Sequence, residues 1–256
     1  MRTGILLTAR LGSSRLKKKH LLNINNQPIL SYLINRIGRA FRLEINEGKV
    51  AIVIATADQE ENKQFEMFCK QQVSVFYGAL DNIPLRHLQA AERYNFDNLI
   101  SVDGDDILCS VEGMRQVYHE LINKKEFVKT IGLPFGMNVM GYATEFLKTS
   151  LEDVKDQVLE TGWGRIFNET DKTVLTFDIF NCNDYMRFTL DYPEDFIFFE
   201  NFITQFPGDL NNSTDQEIVD FVIKKKLYEI TKPITSEYWN NFNSGVEEEI
   251  NKKVRC

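Results

Sequence analysis

Apolar residues follow two alternating rhythms over the first half of the chain. Residues 3–9 (TGILLTA), 50–55 (VAIVIA), 73–77 (VSVFY) and 98–102 (NLISV) are short, nearly continuous apolar runs, the pattern of strands buried on both faces. From Gln27 to Phe41 the apolar positions Ile29, Leu30, Leu33, Ile34, Ile37 and Phe41 recur at steps of three and four. That spacing predicts a helix, capped by Asn26 and with Pro28 in its first turn. Further helices are predicted over 59–70 on Phe65 and Phe68, over 84–94 on Leu85, Leu88 and Ala91, and over 111–123, followed by a strand at 127–133.

Strands alternating with helices of about a dozen residues predict an α/β fold, a Rossmann-like and mostly parallel sheet with helices on both faces. Ligands of such sheets bind beyond the carboxyl ends of the strands. The loops after the first strand (10–19) and the fourth (103–109) are therefore expected to border one crevice. After residue 134 the rhythm changes. LPFGMNVMGY reads as a turn into a strand, and VLTFDIF and YMRFTL read as strands on either side of Asn181–Asp184. PEDFIFFENFITQF (193–206) is an apolar helix with Pro193 in its first turn, and 214–226 is another. The simplest organisation is one domain over 1–256 with a β-rich lobe embedded at about 136–190.

Composition narrows the function classes. Thirty Lys+Arg against 37 Asp+Glu give a net charge of −7, so nucleic-acid binding through a basic face is not expected. No apolar run reaches the roughly 18 residues that span a bilayer. The apolar stretch in MRTGILLTAR is too short for a signal peptide, so a soluble, cytoplasmic protein without a membrane partner is expected. Cys69, Cys109, Cys182 and Cys256 form no CxxC pair and read as reduced thiols. His20, His87 and His119 form no HExxH, and a zinc site is not expected.

The loop after the first strand holds Arg10, Arg15, Lys17, Lys18 and Lys19, five cations in ten residues of an acidic chain. Gly12, Ser13 and Ser14 let its backbone turn tightly and aim N–H groups inward, which suits a polyphosphate. A solvated basic turn is the plainer alternative. Neither GxGxxG nor a Walker A sequence is present, which disfavours a dehydrogenase or a P-loop enzyme. Asp105 follows the fourth predicted strand and Asp191 follows YMRFTL. Carboxylates beside a polyphosphate repel it unless a divalent cation intervenes, so Asp105 and Asp191 are candidate Mg²⁺ ligands, with Asp103 and Asp106 behind them. Asp191 and Glu194 also suit the capping of the helix that Pro193 opens.

Residues 5–34, ILLTARLGSSRLKKKHLLNINNQPILSYLI, resemble the amino-terminal motif of the CMP-sugar synthetases, nearest to the spore-coat-polysaccharide-type and Kdo cytidylyltransferases. Asp103-Gly-Asp105, VFYGALDNIPLRHLQAA (75–91) and FTLDYPEDF (188–196) are similar to later motifs of that family, in the same order. The resemblance implies a nucleotidyltransferase domain that binds CTP. It assigns Arg10, Arg15 and Lys19 to the triphosphate, which agrees with the loop reading of Gly12, Ser13 and Ser14 as its backbone cradle. It puts Thr56 and Gly78 near the nucleoside and makes Asp105 and Asp191 the Mg²⁺ ligands. It also implies a homodimer through the β-rich lobe.

The departures from the family pattern fall in two places. Lys17-Lys18 stands where the family has Pro-Gly, and Asn26-Gln27-Pro28 where it has Gly-Lys-Pro. Asn138 and Met140 replace expected acids, and Trp163-Gly-Arg-Ile-Phe167 replaces a His-Val-Thr-like stretch. Arg165 and Arg86 are therefore candidates to grip an acceptor anion, with Arg187 a further one. Trp163 and Phe167 read equally as core. The expected activity is Mg²⁺-dependent transfer of CMP from CTP to an acidic or phosphorylated sugar-like acceptor, for surface polysaccharide synthesis. Another base, a non-sugar phosphate acceptor, or a degenerate nucleotide-binding protein of the same fold are the alternatives.

Overall fold

The computed structural model describes residues 1–154, 157–167, 172–179 and 185–253. The predicted polar stretch 181–184, Cys182 and Cys256 lie outside the described residues. In chain order the elements are β1 (Thr3–Thr8), β2 (Asn23–Ile24), β3 (Gln27–Pro28), α1 (Leu30–Ala40), α2 (Arg42–Asn46) and β4 (Val50–Ala57). A 3₁₀ helix (Glu60–Gln71), β5 (Val73–Gly78), α3 (Ile83–Tyr94), β6 (Asn98–Asp103) and α4 (Val111–Ile122) follow. Next come β7 (Phe127–Ile131), β8 (Met140–Ala143), α5 (Thr144–Ser150) and β9 (Lys172–Thr176). The chain then runs through α6 (Pro193–Gln205), α7 (Asp215–Lys225), α8 (Tyr228–Thr231) and α9 (Thr235–Lys253).

The main sheet has seven strands in the order β5-β4-β1-β6-β8-β7-β9. β1 pairs in parallel with β4 on one side and β6 on the other, with Thr8 level with both Ala55 and Asp103. The chain thus leaves β1 in one direction for β4 and β5, then returns to its other edge for β6. That reversal opens a crevice beyond the carboxyl ends of β1 and β6, the place where open α/β sheets bind ligands.

Alternation along β1 divides the core into two layers. Ile5 and Leu7 pack with Leu33 and Ile37 of α1 and Met114 and Val117 of α4. Leu6 faces the other way, onto Leu88 and Ala91 of α3. Within 136–190, β8 enters the main sheet antiparallel between β6 and β7, and β9 lies parallel to β7 at its edge. Trp163 and Phe167 are buried with the α3 layer, which answers for both aromatics.

Four local expectations change. The helix predicted from Gln27 begins at Leu30, because Asn25 and Asn26 adopt φ of 49° and 63° and turn β2 back on β3. Asparagine enters the left-handed region more readily than most residues, so Asn26 is a hairpin residue and caps no helix. The helix predicted over 59–70 is 3₁₀. Its buried residues are Asn62, Phe65 and Phe68, spaced by three, which three residues per turn place on one face. The strand predicted at 127–133 ends at Ile131. YMRFTL forms one bridge, Phe135 to Arg187, in place of a strand.

Candidate active site

The backbone first brings three segments together. Asn62, wholly buried, accepts a hydrogen bond from Leu11 N at 2.9 Å and donates to Ala57 O at 2.9 Å, which pins the loop after β1. A Cβ on Gly104 would lie 3.0 Å from Ala9 Cβ and 3.1 Å from Thr8 O, so glycine lets the loop after β6 close against the loop after β1. Leu190 N donates to Asp105 O at 3.0 Å and Phe188 N donates to Phe135 O at 2.8 Å, which draws the segment before α6 onto the same edge.

Into this edge project the expected cations and carboxylates. Lys18 takes a left-handed φ of 49° and turns Lys19 inward. Lys19 Nζ donates to Asp105 Oδ2 at 2.5 Å and to Asp191 Oδ1 at 2.9 Å. Burial alone would lower the Lys19 pKa. The charges of Asp105 and Asp191 outweigh burial and hold it above its ordinary value. Arg15 Nη2 donates to the same Asp191 oxygen at 3.1 Å, and Arg15 Nη1 reaches Tyr192 Oη at 3.4 Å. Arg10 pairs with Glu160. All three expected phosphate cations are therefore within reach of the edge, and each rests on a carboxylate of the chain.

Asp191 is held from behind. Asp195 Oδ2 accepts the N–H groups of Asp191 and Tyr192 at 2.9 Å each, closing a capping box at the start of α6. Arg187 forks onto Asp195 through Nε and Nη2, both at 2.8 Å. Asp191 stands one residue before the N-cap Tyr192, so Asp195 and not Asp191 does the capping, and the Asp191 side chain is left to face Lys19. Arg187 is absorbed in this support.

The remaining expected residues divide. Gly12, Ser13 and Ser14 line a cleft of about 750 Å³ together with Lys17, Lys18 and Glu61, so the two additional lysines face this cleft. Thr56, at the end of β4, is buried with an unpartnered Oγ1, and Gly78 ends β5 beside it. Arg86 donates to Ala79 O at 2.8 Å and Leu80 O at 2.7 Å and braces the turn after Gly78. Arg165 pairs with Glu249 at 2.9 Å. His20 packs edge-on against Phe65, and burial first, then Lys19, push its pKa down to about 3. His87 bridges Thr8 Oγ1 at 2.8 Å and Tyr142 Oη at 2.7 Å beneath the crevice.

The donor set fits a hard divalent cation. Carboxylate oxygens of Asp105 and Asp191 both come within hydrogen-bond distance of one point, which the Lys19 ammonium holds. Asp106 is pushed well above the ordinary carboxylate range, by desolvation first and then by the charges of Asp105 and Asp103. Among the described residues no group of three or more His, Cys, Asp or Glu forms a cage for a metal ion. Magnesium commonly takes one or two carboxylates and completes its shell with phosphate and water.

A model of the family described as cytidylyltransferase matches residues 4–224, which include every group around Lys19. The chain belongs to the cytidylyltransferase family. Its members are CTP-dependent nucleotidyltransferases, and this chain is an enzyme of that class. An uncharacterized protein of Methanocaldococcus jannaschii is 25% identical over 254 residues, 97% of each chain. The 3-deoxy-manno-octulosonate cytidylyltransferase 2 of Hydrogenovibrio crunogenus is 25% identical over 177 residues, 61% of this chain and 68% of that one. A cytidylyltransferase structure from Leptospira borgpetersenii superposes with a TM-score of 0.70 at 20% identity, covering 91% of this chain and 97% of that one. CMP:2-keto-3-deoxy-manno-octonic acid synthetase complexed with CTP superposes at 0.56 with 13% identity, over 80% and 99%. These superpositions establish the fold.

The support of the site carries little signal in the sequence pattern. Tyr192 and Asp195 stand inside FTLDYPEDF (188–196). Asn62, Glu160, Tyr238 and Glu249 belong to no motif, and only the fold brings them to the crevice.

Proposed function

We propose that this cytidylyltransferase transfers CMP from CTP to an acidic or phosphorylated sugar-like acceptor, with Mg²⁺ and release of pyrophosphate, in surface polysaccharide synthesis. The observation that carries the reading is the Lys19 ammonium set between Asp105 and Asp191 at the β1/β6 reversal. Asp105 and Asp191 would hold the ion, which neutralises phosphate charge when bound. Arg10, Arg15 and Lys19 exchange their carboxylate partners for the triphosphate, and N–H groups of Gly12–Ser14 face it. Thr56 Oγ1 and Gly78 take the nucleoside side. An acceptor oxygen forms the new bond to the α-phosphorus as the bond to the β-phosphate oxygen breaks. Catalysis is then positioning and charge stabilisation, without a covalent enzyme intermediate. The relative named for 3-deoxy-manno-octulosonate supports a sugar-acid acceptor. A cytoplasmic homodimer goes with this reading.

Thermal melts with CTP, UTP, ATP and GTP, each with and without Mg²⁺, test the nucleotide. A ligand at about 100 times its Kd adds about 2.7 kcal/mol, and a rise selective for CTP with Mg²⁺ is expected. Pyrophosphate release with 3-deoxy-manno-octulosonate and with sugar phosphates then tests the acceptor. Asp191→Asn is expected to lose metal-dependent turnover while still melting cooperatively. No rise with any nucleotide would overturn the reading.

A further inference from the structure

α9 lies wholly beyond the residues 4–224 that the family model matches, yet it touches Arg187 and Tyr192, which flank Asp191. Tyr238 is 9% exposed, and its ring covers the Arg187 guanidinium with Cζ 4.2 Å from the centroid. Its phenol is pushed up by burial first and then by the charges of Asp191, Asp105 and Asp106, the groups of the candidate metal site. Asn241 donates to Tyr192 Oη at 2.8 Å, the oxygen that Arg15 also reaches. Glu249 accepts from Thr161 N at 2.8 Å and Glu160 N at 3.3 Å, and so holds the segment whose Glu160 pairs with Arg10.

Arg187 is the pivot. Two of its nitrogens are satisfied by Asp195, while Nη1 is buried without a hydrogen-bond partner among the described residues. A buried cation short of partners is costly, and an aromatic face compensates it best where water is excluded. Besides Asp195, Arg187 Nη2 lies 3.6 Å from Asp191 Oδ2. We propose that α9 is a working part of the site and that Tyr238 is a positioning residue for Asp191, acting through Arg187. With the ring in place the guanidinium keeps its fork on Asp195, which fixes the Asp191 main chain. Without the ring the guanidinium closes on Asp191 and takes a carboxylate oxygen from the divalent ion. The inference rests on the reading of Asp191 as an ion ligand.

Mn²⁺ binding to the full-length protein, followed by electron paramagnetic resonance with and without CTP, tests it. Tyr238→Leu is expected to weaken Mn²⁺ binding in the presence of CTP at least tenfold, with CTP binding in the absence of metal changed less than twofold. Tyr238→Phe, which keeps the ring, is expected to restore Mn²⁺ affinity to within twofold of wild type. Tyr238→Met carries the same expectation as Tyr238→Leu if the leucine variant does not melt cooperatively. Unchanged Mn²⁺ affinity in the folded ring-deleted variant would overturn the inference alone. So would equal losses in Tyr238→Phe and Tyr238→Leu. A wild type that binds no Mn²⁺ with CTP would overturn the functional reading and the inference with it.

Discussion

Lys19 Nζ lies 2.9 Å from Asp191 Oδ1, and both side chains are almost closed to water. The same ammonium touches Asp105, so it occupies the point where a divalent ion would gain both carboxylates. On the proposed reading, ion and ammonium compete for one place, and the triphosphate draws the ammonium away. Lys19→Met is expected to bind Mn²⁺ at least tenfold more tightly than wild type without nucleotide. Its turnover with CTP is expected to fall by about a hundredfold, as for loss of one charge-stabilising donor. Mn²⁺ titration checks the first effect, and unchanged or weaker binding would show that ion and ammonium do not share the place.

Arg15 sits at the mouth of the site, 3.1 Å from Asp191 and stacked on the Tyr192 ring at 5.0 Å. On the proposed reading its guanidinium turns from Asp191 to the outer phosphates. Arg15→Ala is expected to raise the Kd for CTP about tenfold or more and to change that for CMP less than threefold. Isothermal titration with both nucleotides measures this, and equal losses would remove Arg15 from the β- and γ-phosphates.

His87 is buried between Thr8 and Tyr142, and burial first, then Arg86, push its pKa down from 6.5 to about 3. The unfolded chain thus binds this proton more readily than the folded one. The contribution to stability is complete above pH 6.5 and is lost toward pH 3, at roughly 1.4 kcal/mol per pH unit. His20, shifted the same way to about 3, adds a second proton to the slope. Urea melts at pH 7 and pH 5 are expected to show the loss, with a shallower slope in His87→Gln. An identical slope in the variant would place the proton elsewhere.

Gly136 has φ of 86°, and a Cβ there would stand 2.6 Å from the Phe188 carbonyl carbon. This approach holds the Phe135–Arg187 bridge behind the carboxylates. Gly136→Ala is expected to cost about 1–3 kcal/mol, read by chemical denaturation. A loss below about 0.5 kcal/mol would mean that the backbone shifts freely there.

The apolar runs Gly4–Leu7, Val50–Ala55 and Leu99–Val102 are legible as buried strands because each is short, continuous and followed by a helical spacing. The loop 10–19 and Asp105 are legible as neighbouring groups because the carboxyl ends of parallel strands lie along one edge of the sheet. The hairpin at Asn25-Asn26 was hidden by the apolar spacing that follows it, which suits a helix beginning earlier. The three-residue spacing of Asn62, Phe65 and Phe68 is present in the sequence, yet its reading as 3₁₀ needs their burial to be known.

The α/β alternation and the crevice at the β1 and β6 loops are written in the sequence, which also names the loop cations and the aspartates to look for there. These follow from local periodicity and from motifs a few residues long. That β8 runs antiparallel between β6 and β7, that Glu160 takes Arg10, and that α9 brings Tyr238 onto Arg187 emerges only from the folded chain. Those pairings join residues that are distant along the chain, as with Arg10 and Glu160 at a separation of 150 residues. No local pattern encodes which buried charge meets which ring or carboxylate, because the requirement to compensate a buried charge is met in space and not along the chain.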